Sequence, residues 1–170
     1  MRRLALALAL FVTACGDARA PAPEAPGASA ADADALAARF PETLAGLERA
    51  SLQAETDAAL GASVTTVEAR YGAENSLGEP SLEVFVTDAG SAEMIGRMGL
   101  AWDDTAYRAG SEVQATEVFD GHPARRTWDA ERRAGRLQVL AGETRVVEVR
   151  GEAVSEEALD AAARVALAGL

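Results

Sequence analysis

Past residue 40 the hydrophobic positions switch between two periods. Residues 62–71 (ASVTTVEARY) are rich in β-branched side chains. Residues 81–87 (SLEVFVT) place Leu82, Val84 and Val86 at every second position, the spacing of one strand face. Leu47 and Leu52 anchor an earlier strand over 47–55, and a short helical turn over 34–40 ends at Pro41. Between 91 and 102 the period lengthens. Met94, Met98 and Trp102 recur every four residues with Ile95 beside them, which predicts one apolar helix face. Asp88 or Ser91 is its candidate cap. Period two then returns over 113–119, 122–128, 136–141 and 144–150. Asp120-Gly121 is a hairpin signal, and Ala141-Gly142-Glu143 joins the last two strands. Ser155 caps a final helix, with Glu156 and Glu157 favourable in its first turn and Leu159, Ala162, Ala163, Val165 and Ala166 on its apolar side.

Short links between successive strands favour antiparallel pairing. The pattern therefore predicts an α+β fold: an antiparallel sheet of about six to seven strands, with two main helices (91–102 and the C-terminal one) packed on one face.

The N-terminus follows a different logic. Arg2 and Arg3 precede an apolar run, Leu4 to Phe11, that is far shorter than the roughly 20 residues a spanning helix needs. Val12-Thr13-Ala14-Cys15 follows and resembles the bacterial lipobox. The resemblance implies cleavage before Cys15 and acyl chains on its thiol. Residues 1–14 are then a lipoprotein signal peptide, and residues 15–34 are a lipidated cysteine with a disordered Ala/Pro-rich tether (GDARAPAPEAPGASAADAD after the cysteine). Residues 35–170 are a single domain. Each buried acyl CH₂ contributes about 0.8 kcal/mol, so two or three chains anchor stably. The expected location is the cell envelope, with the outer membrane as default because Gly16 rather than an Asp follows the cysteine. The domain would face the periplasm or the cell surface. Two strands before a helix, a four-strand meander and a terminal helix are similar to small α+β domains of bacterial lipoproteins, including the Mog1/PsbP-like type. That family binds partners rather than catalysing reactions.

Charge narrows the partners. The 170 residues carry 27 acids and 16 basic residues, all arginine, for a net charge of −11. Removing Arg2 and Arg3 makes it two units more negative. Such a chain repels nucleic acid. The missing lysine fits either a GC-rich genome or a salty habitat, and it rules out Schiff-base chemistry and the phosphate-loop lysine.

Candidate chemistry is sparse. His122 is the only histidine and Cys15 the only cysteine, too few for a histidine- or thiolate-based metal site. No Gly-x-Ser-x-Gly elbow occurs. Asp103-Asp104 could serve an acid-only hydrolase if a second carboxyl faced them, and Glu74, Asn75 and Glu79 lack calcium-loop spacing. No cofactor is expected and no catalytic residue is assigned. Arg125, Arg126, Arg132, Arg133 and Arg136 crowd into twelve residues around a predicted hairpin. They are either a patch for an anionic partner or a solvated rim paired with Asp129 and Glu131. Met94, Met98 and Trp102 are either core or the wall of an apolar pocket. The leading expectation is a non-enzymatic, membrane-anchored envelope binding module, with a small apolar-ligand carrier as the alternative.

Overall fold

The computed structural model describes residues 32–59, 62–73, 78–97, 107–168 and 170. In chain order the elements are α1 (Ala33–Ala37), β1 (Thr43–Leu44), β2 (Leu47–Ala59), β3 (Ala62–Gly72), β4 (Ser81–Asp88), α2 (Ala92–Arg97), β5 (Tyr107–Ala109), β6 (Glu112–Phe119), β7 (His122–Asp129), β8 (Ala134–Ala141), β9 (Arg145–Glu152) and α3 (Glu156–Ala168).

The strands form one antiparallel sheet in the order β1-β2-β3-β4-β9-β8-β7-β6-β5, curled into a half-barrel. Two meanders, β1 to β4 and β5 to β9, meet where β4 pairs with β9, Val84 opposite Val149. The antiparallel sheet agrees with the period-two runs. The strand count does not: among the described residues the sheet has nine strands, not six or seven. The extra ones, β1 and β5, are two and three residues long, too short to show a period.

Alternation gives the sheet two unlike faces. Leu82, Val84 and Val86 of β4 and Val147 and Val149 of β9 point to the concave side and are wholly or almost wholly buried. There α1 brings Leu36 to the core and α3 brings Leu159, Ala162, Ala163 and Ala166. Asp32 caps α1 by accepting from the Asp34 amide at 3.0 Å, and Ser155 caps α3 by accepting from the Ala158 amide at 3.3 Å.

Helix α2 stands elsewhere. Its Met94 and Ile95 bury against Val64 and Val146, with Leu140 beside them. The registers Leu140↔Val146 and Val146↔Thr87 put these residues on the convex side. The two predicted main helices therefore lie on opposite faces, which corrects the one-face arrangement. An apolar stripe requires a helix to find apolar surface, but not on which side. Here the convex face offers one apolar corner, and α2 covers it. The helix is described over 92–97, so Met98 and Trp102 lie outside the described residues.

Ion pairs fasten α3 and the end of the chain to the concave side. Arg126 on β7 bonds Glu117 on β6 and Asp160 on α3, both at 2.8 Å through Nη2. Arg145 Nε donates to the buried Asp88 at 2.9 Å, and its Nη1 donates to the Leu170 carbonyl at 3.2 Å. Arg164 Nε reaches Asp120 at 3.1 Å while its guanidinium lies 5.1 Å from the Phe119 ring centroid.

Candidate functional site

The five clustered arginines separate once β7 and β8 form. Successive residues of a strand point to opposite faces. Arg126 therefore turns to the concave side, 12% exposed and surrounded by Glu117, Asp160 and Glu156. Arg125 and Arg136 turn to the convex side. Arg132 and Arg133 lie in the exposed turn at 130–133, with Arg132 Nε 3.7 Å from Asp129 Oδ2. Arg133 takes a left-handed backbone (φ 52°) and its carbonyl accepts from the Val154 amide at 3.1 Å. The cluster is thus three separate groups rather than one patch.

The convex face gathers a different set. Register places Arg70, Glu83, Arg150 and Arg136 in one cross-strand row, and Glu68, Phe85, Glu148, Gln138 and Arg125 in the next. Glu148, 7% exposed, is the hub. Its Oε2 accepts from Arg136 Nη2 at 2.5 Å and from Gln138 Nε2 at 2.6 Å, and its Oε1 accepts from Arg150 Nε at 2.5 Å. Gln138 Oε1 in turn accepts from Arg125 Nη2 at 2.7 Å. The Arg150 guanidinium lies 4.9 Å from the Phe85 centroid, a cation–π distance. Arg70 Nε sits 2.5 Å from Glu68 and 3.6 Å from Glu83.

Burial pushes the Glu148 carboxyl up, but the Arg136 charge and hydrogen bond, with Gln138 and Arg150, outweigh it and hold the group below the usual carboxylate range. Glu148 therefore stays ionised and is unsuited to general acid work. The two rows hold four guanidiniums and three carboxylates. Arg136 and Arg150 stand directly opposite each other, a like-charge pairing that disfavours the strand contact unless a counter-charge intervenes. Glu148 supplies only one. Arg70, Arg136 and Arg150 remain 46%, 42% and 51% exposed. These two rows carry one net positive charge, in a chain of net charge −11. A guanidinium is of a shape and charge that fits phosphate or carboxylate oxygens, and Arg70, Arg136 and Arg150 each keep part of theirs in solvent.

Arg70, Arg150, Glu148 and Phe85 lie far in sequence from the arginine cluster and are not among its predicted members. For Glu148 and Arg150 the signal was present in VVEVRG (146–151), where Val147 and Val149 alternate with them.

Other candidates fall apart from this face. His122 opens β7 opposite Phe119. Met94 is buried in the small α2 cluster. An apolar groove lies on the concave side instead, between Leu36 and Phe40 of the α1 region and Val165, Ala166 and Leu170 at the C-terminus. Its cavity volume of about 10 Å³ holds about one water, far below the ~300 Å³ of an ordinary ligand pocket. Cys15, Glu74, Asn75, Asp103 and Asp104 lie outside the described residues, and Glu79 is an exposed loop residue. Among the described residues no group of three His, Cys, Asp or Glu is placed to hold a metal ion. Comparison with protein-family models, curated proteins and solved structures found no match.

Proposed function

We propose that this protein is a lipid-anchored binding module of the bacterial cell envelope, and that its convex arginine face takes an anionic partner bearing phosphate or carboxylate groups. The reading rests on one observation. Arg125 and Arg136, two of the five arginines singled out in the sequence, share the convex face with Arg150 and Arg70 in a chain of net charge −11. The lipobox at Val12–Cys15 and the Pro-rich spacer after it support the envelope setting. Acylated Cys15 would hold the domain at the outer membrane, and the spacer would hold it off the lipid surface. Binding, not catalysis, is the proposed activity.

The test is a crosslinking pull-down from envelopes, comparing wild type with a variant carrying Arg125→Gln, Arg136→Gln and Arg150→Gln. Arg126 stays intact because it fastens α3. A component captured by the wild type and lost in the variant supports the reading when the variant keeps the circular dichroism of the sheet, since Arg136 and Arg150 also pair with the buried Glu148. Capture that survives all three substitutions moves the site off this face, and absence of any specific capture removes the binding-module reading. Cys15→Ser tests the anchor: the chain should leave the membrane fraction.

A further inference from the structure

Strand β2 is the longest described strand of the sheet, and one of its edges has few strand partners among the described residues. Its β3 edge is paired from Arg49 to Ala59. On the other edge β1 pairs only with Leu47 and Glu48, and the Arg49 amide donates to the Glu42 carbonyl at 2.8 Å. Beyond Ser51 no strand among the described residues pairs with that edge.

The direction of the backbone groups follows from register. The Ala73 amide donates to the Pro80 carbonyl, so odd-numbered β3 residues from 65 to 73 direct their N–H and C=O at β4. Even-numbered residues 64 to 70 then face β2, opposite Asp57, Glu55, Gln53 and Ser51. The irregularity between Arg49 and Ser51 is the bulge that brings both edges into this phase. It leaves the N–H and C=O groups of Leu52, Ala54, Thr56 and Ala58 directed away from β3, with no strand partner among the described residues. A row of unpaired backbone groups is a template for another strand, and folded proteins usually keep such edges short or charged.

The side chains flanking the edge define what fits it. On the convex side stand Gln53, Glu55 and Asp57, the two acids both exposed. On the concave side Leu52 and Ala54 are partly buried against the main core. We propose that this edge is a second docking surface, which takes an extended basic segment of a partner protein as an added strand in line with β1. Alternate residues of that segment would be Lys or Arg, facing Glu55 and Asp57. The residues between would be small and apolar, extending the cover over Leu52 and Ala54. Strand addition of this kind draws affinity from main-chain bonds and specificity from alternate side chains. A second copy of this chain is a poor occupant, because pairing β2 with itself brings Glu55 and Asp57 against their own copies. The surface is independent of the arginine face in both residues and sign of charge.

The probe is a short labelled peptide of alternating valine and lysine, titrated against the full chain in detergent solution and read by fluorescence anisotropy. The wild type should bind it. The valine–glutamate version, and the valine–lysine peptide methylated on its pairing amides, should each bind about tenfold more weakly or worse. Ala54→Pro removes one outward N–H without touching the β3 ladder, and it should weaken binding by a similar factor while the circular dichroism of the sheet is kept. Glu55→Gln with Asp57→Gln should weaken it and reduce its salt dependence. If Ala54→Pro does not fold, the methylated peptide still decides the matter. No binding to the wild type, equal binding of the methylated or glutamate peptides, or a concentration-dependent dimer in sedimentation that the peptide does not displace would each overturn the proposal.

Discussion

Gly135 on β8 and Gly151 on β9 face each other across the sheet, and each leaves its space to a large neighbour. A Cβ on Gly135 would lie 2.5 Å from Trp128 Cε3 and 2.5 Å from the Thr127 carbonyl oxygen. A Cβ on Gly151 would lie 2.6 Å from Val154 Cγ2, 3.0 Å from Leu159 Cδ2 and 3.2 Å from Leu82 Cδ2. The pair makes a local hollow on the concave face, where Trp128 settles on one side and α3 on the other.

Filling that hollow should be harmful. Gly151→Ala forces three core side chains apart and should destabilise by about 1–3 kcal/mol. Gly135→Ala should do at least as much, because one of its close neighbours is main chain and cannot rotate away. Urea denaturation of each variant is the measurement, and a midpoint unchanged from wild type would contradict this packing.

Arg126 should matter for folding rather than binding. Its removal leaves Glu117 and Asp160 close together without their cation. Breaking a buried pair destabilises by several kcal/mol, and since these acids keep some solvent contact, Arg126→Met should lower stability by about 2 kcal/mol. Adding Glu117→Gln and Asp160→Asn should recover part of that loss, because the stranded charges are then gone. A triple variant no more stable than Arg126→Met would mean that the loss arises from packing instead.

Glu148 sets an acid limit. Its folded-state carboxyl is held below the usual range, so the stability it contributes is fully present above the unfolded value of about 4.3 and is lost as pH falls through the lower folded value. Stability measured against pH should decline below about pH 4 partly through this group. Glu148→Gln should lower stability at neutral pH by about 1–2 kcal/mol, leaving Arg136 and Arg150 opposed, and should flatten the acid limb. An acid limb as steep as in the wild type would exclude Glu148 as a contributor.

Arg49 ties α1 to the sheet. Its Nη1 donates to the Phe40 carbonyl at 2.5 Å, and the buried Tyr71 hydroxyl donates to the adjacent Pro41 carbonyl at 3.0 Å. Arg49→Ala should speed amide hydrogen exchange over 36–40 about tenfold and leave β8 and β9 unchanged. Equal acceleration across the sheet would show that α1 and the strands open together.

Much of the local structure was legible in the chain. Asp120 and Gly121 both take positive φ, at 47° and 87°, as the two central residues of a tight hairpin turn require. Ser155 caps α3 where expected. Strands β4, β6 and β7 end within two residues of their predicted limits, because backbone conformation there follows from side-chain alternation and turn residues alone. The same alternation could have separated Arg125 from Arg126, since neighbours in a strand cannot share a face.

Other features were decided by residues distant in sequence. Nothing local announces that β4 pairs with β9, yet that pairing buries Asp88 against Arg145 and carries Arg150 to the neighbourhood of Arg70. The face on which α2 lies depended on where the sheet left an apolar corner, at Val64, Leu140 and Val146. The sequence by itself determined the seven longer strands, the Asp120-Gly121 turn, the Ser155 cap and the overall charge, because those depend on near neighbours and composition. The tertiary structure decided which charges share a face and which strand edge lacks a described partner, because both depend on the spatial order and register of the strands.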